Sequence, residues 1–236
     1  MSKKLNRLIV WPARIFLGLF LMSVLLVIFY RSVPVYFTPL MGIRWTEQVL
    51  DKERPVRMQK KWVSLENISE TMVLAVIAAE DQKFTSHKGF DWEAIQKALE
   101  GNKAGNRIKG GSTISNQTAK NVFLWPGRNL LRKVMEAYFT GLIEFFWSKE
   151  RIMEVYLNVI ELGDGIYGAE AAAGNFYNKS ASSLSRHEAA LLAAVLPGPL
   201  LWNPSQPTNY IRGRQNWILR NMNNLGNISW EHTGKE

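Results

Sequence analysis

The sequence predicts a mainly α-helical domain carried behind one N-terminal transmembrane helix, and three observations lead there. Ile15–Tyr30 (IFLGLFLMSVLLVIFY) is sixteen residues without a charge. From Ser64 onward, apolar residues recur at three- and four-residue spacing in segment after segment. Alternating runs that would mark strands are scarce. A chain of 236 residues, 47% of them hydrophobic, has room for one domain of ordinary size and an anchor. It contains no cysteine, which excludes disulfides, thiolate metal sites and cysteine nucleophiles.

A bilayer needs roughly 17–25 apolar residues, so the uncharged run is slightly short. Snorkelling of Arg14 and Arg31, and the mostly apolar Ser32–Met41, can supply the missing length. The expected order is a cytoplasmic tail at 1–14, an anchor at 15–36, an irregular linker at 37–61, a folded domain at 62–225 and a tail at 226–236. Lys3, Lys4 and Arg7 before the span place the N-terminus in the cytoplasm and the domain outside. The alternative is a cleaved signal peptide, for which Ser32-Val33-Pro34-Val35 is a poor cleavage site.

The net charge of +9 is unevenly placed. Through Lys61 there are eleven Lys/Arg against three Asp/Glu; from Trp62 onward there are eighteen against seventeen. A nucleic-acid binder carries its basic face on the folded body. Here the excess flanks the hydrophobic segment, which suits anionic lipid headgroups.

Within the domain, Glu70–Asp81 has Met72, Val73, Val76, Ile77 and Ala79 at helical spacing. Further helices are expected at Trp92–Leu99, from about Ser112, from about Asn129 to Phe146, and at Lys149–Glu161, His187–Val195 and Tyr210–Leu225. Gly101–Gly111 reads as a polar glycine-rich loop.

Glu80 follows Ile77 and Val76 by three and four residues, so it lies on or beside the core-seeking face. Desolvation there raises a carboxyl pKa and suits it to general acid/base work. The plainer reading is a helix-end carboxylate satisfied by backbone or by His87. After the loop holding Lys103, Arg107 and Lys109, Gly110-Gly111-Ser112-Thr113 opens a helix that Ser112 or Thr113 can cap, leaving N–H groups for an anion. Thr113, Gln117 and Lys120 share one face, as a phosphate site or simply as a solvated stripe. Arg128, Arg132 and Lys133 follow the Trp125-Pro126-Gly127 turn and surround Glu136. As surface pairs they contribute a few tenths of a kcal/mol; as a cluster they leave positive charge for a diphosphate. His87, His187 and His232 are scattered, without metal-ligand spacing.

Five stretches resemble glycosyltransferase family 51, the peptidoglycan glycosyltransferases, over about Trp62 to Leu225. They are AVIAAEDQKFTSHKGFDWEAI from Ala75, GGSTISNQTAKNVFL from Gly110, RKVMEAYF from Arg132, SKERIMEVYLNVIELGDGIYGAEAAAGNFY from Ser148 and RHEAALLAAVLPGP from Arg186. With an end at Glu236, the expectation is a monofunctional member without a transpeptidase domain. The resemblance implies a lysozyme-like, two-lobed glycosyltransferase domain: a helical head and a smaller membrane-dipping jaw with a cleft between them. It implies Glu80 as general base and Glu136 as a second glutamate that orients the cationic cluster or a divalent ion, magnesium or manganese. No cofactor is certain. Lys120, Arg128, Arg132 and Lys133 match positions that hold the donor's diphosphate; Ser112, Thr113 and Gln117 match the donor-side cleft, and Asp81 is placed among the substrate-binding residues. Expected partners are lipid II, the undecaprenyl-diphosphate-linked glycan strand, the cytoplasmic membrane and other cell-wall synthesis and division proteins, with no nucleic acid. This chain has Ser115-Asn116-Gln117 where the family usually has Thr-Gln-Gln, which leaves Asn116 without an assigned role, and Tyr177 where it usually has Phe. Tyr156, Leu157, Asn158 and Ala169–Ala173 read as packing. The rival readings are a lytic transglycosylase or lysozyme-like hydrolase, and an inactive wall-synthesis scaffold. The first has no use for four cations around its cleft; the second would lack the base or a cation.

Overall fold

A computed structural model describes residues 3–53, 55–103, 111–127 and 129–230. The chain divides into two units, residues 1–34 and 35–236. The first is a single helix, α1 (Lys3–Tyr30), whose stretch Val10–Tyr30 is 21 residues with mean hydropathy 2.3, long and apolar enough to cross a membrane. At 1.5 Å per residue it reaches roughly 30 Å, one hydrocarbon thickness. The extra length comes from Val10–Arg14, before the uncharged run, and not from Ser32–Tyr36 as the 15–36 boundary supposed. Pro34 explains the difference, because its ring disfavours helical backbone at Val33.

The second unit begins with a correction. Pro39–Leu50 forms a helix, α2, within the segment expected to be irregular linker. Thr38 accepts a hydrogen bond from the Met41 N–H, and Pro39 supplies a pre-set φ at the first turn. Proline was thus a start signal here. A short strand, β1 (Gln59–Lys60), follows and pairs in parallel with β3 (Ile166–Tyr167), which pairs antiparallel with β2 (Glu161–Gly163). Gly165 turns β2 into β3 at φ +66°, and a Cβ there would collide with the Arg57 carbonyl. Asn158 clamps the chain just after β1: its Oδ1 accepts from Val63 N–H and its Nδ2 donates to the Val63 carbonyl.

The remaining helices form the core. They are α3 (Glu70–Glu80), α4 (Trp92–Lys103), α5 (Ile114–Phe123), α6 (Leu130–Phe146), α7 (Lys149–Val159), α8 (Ala169–Tyr177), α9 (Arg186–Val195) and α10 (Asn209–Leu225). Helix α3 packs against both α9 and α10 and buries every residue from Met72 to Ala78, so it is a central helix and not a one-faced one. Helix α4 continues past Leu99 to Lys103, which shortens the expected glycine-rich loop. Residues 104–110 of that loop, with Arg107, Lys109 and Gly110, lie outside the described residues. Helix α5 packs against α6 and α7. Of the expected tail, Trp230 makes an edge contact with Phe84 at 6.5 Å between ring centroids.

Candidate active site

Three features of the sequence bring α3 and α5 together. The first is Asp81, just past the end of α3. Its carboxylate accepts from the Ile114 N–H, the first residue of α5, at 3.0 Å, and from His87 Nε2 at 2.9 Å. His87 Nδ1 in turn accepts from the Gly89 N–H, so Nε2 carries the proton. The second is Thr113, which caps α5 through the Asn116 N–H and donates to the Gly89 carbonyl. The third is Asn116, whose side chain completes the capping box and donates to Gly89 O and Thr140 Oγ1, both at 3.1 Å. Gly89, at φ +85°, lies against Thr140 and Glu144, too close for any side chain.

These contacts redistribute the expected roles. Thr113, not Ser112, is the cap; Thr113 is buried, whereas Ser112 is exposed. His87 serves Asp81 and leaves Glu80 alone. Asp81 and Thr113, read from sequence as substrate-side residues, are both bound to the protein's own backbone. Asn116 is a buried tie between α5, α6 and the Gly89 turn. We therefore expect Asp81→Asn to lower stability by about 1–3 kcal/mol, the scale for leaving a buried donor without its charged acceptor. Denaturant unfolding of the full chain measures it.

Glu80 projects from the end of α3 toward α5. Gln117 Nε2 donates to Glu80 Oε2 at 2.8 Å, and the Tyr156 hydroxyl donates to Gln117 Oε1 at 3.2 Å. Burial pushes the Glu80 carboxyl above the usual carboxylate range, against the opposing pull of the Gln117 hydrogen bond and the charges of Arg214 and Lys120. The Arg214 guanidinium reaches this region from α10 while donating to the Ala194 carbonyl, a contribution with no local sequence signal. Tyr156, read as packing, is fully buried yet orients Gln117.

A cavity of about 320 Å³ lies beside this group. Gln117, Lys120, Tyr156, Arg132, Arg44 and Glu161 are among the residues that line it. Burial lowers the Lys120 ammonium below its ordinary pKa, opposed chiefly by the attraction of Glu136. Glu136 is buried, with Arg132 Nη1 at 2.8 Å from one oxygen and Lys133 Nζ at 2.5 Å from the other. The i,i+3 and i,i+4 pairs expected from sequence are present, but about a carboxylate withdrawn from solvent. Lys133 is more than half exposed and Arg132 is mostly buried, its Nε lacking a hydrogen-bond partner among the described residues. Arg128 lies outside the described residues. Both Glu136 oxygens are taken by cations, and among the described residues no three His, Asp or Glu side chains gather as a metal site. The surroundings of Glu136 thus suit a charge-ordering role and do not offer a divalent ion a ligand set.

A partly desolvated carboxylate, fixed by an amide, therefore sits beside a cavity walled by cations. Such a site can take a proton from a hydroxyl and hold a polyanionic leaving group. The transglycosylase family model matches residues 46–223. The chain is 51% identical over 204 residues to a biosynthetic peptidoglycan transglycosylase of Pseudomonas fluorescens, spanning 86% of this chain and 85% of that relative. Proteins of the same name from Haemophilus influenzae (49% over 223 residues, 94% and 90%) and Bdellovibrio bacteriovorus (51% over 212 residues, 90% and 84%) are similarly close. With three quarters of its length matched and about half of the aligned residues shared with these relatives, the chain belongs to the transglycosylase family.

Proposed function

We propose that this protein polymerises lipid II into the glycan strands of peptidoglycan. Glu80 takes the proton of the acceptor's 4-hydroxyl as that oxygen attacks the anomeric carbon of the lipid-linked strand. The bond from that carbon to the diphosphate breaks, and undecaprenyl diphosphate leaves with the electron pair. An α-linkage becomes a β-1,4 linkage with inversion. Lys120, Arg132, Lys133 and Arg128 hold the diphosphate as its charge grows. Glu136 keeps Arg132 and Lys133 in place, and Gln117 orients Glu80.

The observation that carries this reading is the pairing of one raised-pKa carboxylate with a cationic cavity. A hydrolase of neutral glycosidic bonds needs the first and not the second. Helix α1 anchors the enzyme in the inner membrane, the N-terminal charges keep its start in the cytoplasm, and the catalytic unit works in the periplasm. Exposed Leu130, Leu131 and Val134 on α6 support contact between this unit and the bilayer that holds its substrate.

Detergent-solubilised protein incubated with labelled lipid II is expected to yield polymer that lysozyme digests. Release of fragments from isolated glycan strands, with no polymer from lipid II, would favour the hydrolase instead.

A further inference from the structure

The cavity has a second end that the reaction above does not use. Helix α2 supplies Arg44 to its wall, and β2 supplies Glu161. Glu161 is 8% exposed. Its Oε2 accepts from Arg44 Nε at 3.4 Å, while its Oε1 is buried with no hydrogen-bond partner among the described residues. Glu161 acts on the Tyr167 hydroxyl both by its charge and as a weak hydrogen-bond neighbour, but neither that hydroxyl nor Oε1 has a partner in full hydrogen-bond geometry among the described residues. A buried carboxylate oxygen left in this state is costly unless a donor arrives from elsewhere.

The charges acting on Glu161 are those of Arg44, Asp164 and Glu47, whereas those acting on Lys120 are Glu136, Arg132, Glu80 and Lys133. Glu161 thus belongs to the α2 end of the cavity and Lys120 to the other. One end accepts hydrogen bonds and the other receives negative charge. The ligand class that fits both is a sugar attached to a phosphate, whose hydroxyl and acetamido groups are donors. Arg44 is shared with Glu47 at 2.7 Å and so is held against α2 while it steadies Glu161.

We propose that Glu161, positioned by Arg44, is a specificity residue that accepts a hydrogen bond from a hydroxyl or amide N–H of the diphosphate-bearing sugar. This rests on the cavity being the diphosphate site proposed above. Burial also raises the Glu161 carboxyl, which a donor from the substrate would reverse.

The test compares two ligands of the full-length protein in detergent: undecaprenyl diphosphate, which has no sugar, and lipid II. Both are titrated in a Glu80→Gln background so that lipid II is not consumed. Glu161→Ala is expected to weaken lipid II binding by about tenfold or more, the scale of a hydrogen bond to a charged acceptor. Binding of undecaprenyl diphosphate should stay within about twofold, or tighten as a negative charge is removed. Should Glu161→Ala fail to fold, the near-isosteric Glu161→Gln is expected to show a smaller loss that is still confined to lipid II. Equal weakening for both ligands would make Glu161 a support of the cavity wall and overturn the proposal. So would unchanged binding of lipid II. Protein with Glu161 intact that binds neither lipid would instead remove the diphosphate site, and the sugar contact with it.

Discussion

Glu80→Gln is expected to cut polymerisation of lipid II by at least about a hundredfold, the lower range for losing a general base. Folding should not suffer. The amide can still pair with Gln117 after a flip, and it removes a carboxylate that the fold holds in a poorly solvated place. A group whose pKa is raised on folding favours the folded state below its unfolded pKa, and that advantage is lost as pH rises through the folded value. At neutral pH an ionised Glu80 therefore costs stability, and Glu80→Gln should unfold at the same denaturant concentration or a slightly higher one. Asp81→Asn, one residue on, should do the reverse: lose stability before it loses chemistry. The raised pKa also carries a kinetic signature. A base must be ionised, so activity should rise with pH through the Glu80 titration, with an acid limb above the ordinary carboxylate range. The residual activity of the Gln variant should lack that limb. Near wild-type turnover by Glu80→Gln would end the assignment.

Lys120→Met should slow polymerisation by a factor on the order of 10–150, from a charge-assisted contact of about 1.5–3 kcal/mol that strengthens as the bond breaks. Its stability should hold as well, for a related reason: burial already disfavours the Lys120 ammonium in the absence of an anion. Lys120→Arg should rescue only in part, because a planar fork replaces a compact ammonium in a confined wall. Arg132 makes a poorer test, since removing it also strips a partner from buried Glu136. Lys179, paired at the surface with Glu188, serves as the neutral control. Polymer assays and unfolding curves on the same variants separate a lost contact from a lost fold. Strand cleavage by the wild type that persists in Lys120→Met would point to the hydrolase.

Local order was readable wherever a residue's effect stays within a helical turn. The anchor followed from an uncharged run, α6 from its pattern behind Asn129, and the Glu136 ion pairs from i,i+3 and i,i+4 spacing. The suspicion that Glu80 is desolvated came from its distance to Ile77 and Val76. Helix α2 lies inside the segment expected to be irregular linker; behind Thr38, Pro39 opens a helix, whereas the same residue inside one would break it. Helix α3 offered a stripe of apolar residues, and only its packing against α9 and α10 shows that it is buried all round.

The set of chemical groups and the mainly α class can be read from the residues alone, because helical periodicity and side-chain type are properties of short segments. The assignment of partners belonged to the tertiary structure. Residues 33 apart in the chain make Asp81 a structural acceptor for α5, and residues 37 apart make Gln117 the one that holds Glu80. Arg44 and Glu161, 117 positions apart, meet only because α2 lies against the strand that carries Glu161. Hydrogen bonds and ion pairs act over a few ångströms of space whatever the separation along the chain. A carboxylate's neighbours, and with them its pKa and its role, are therefore decided when the helices pack and not before.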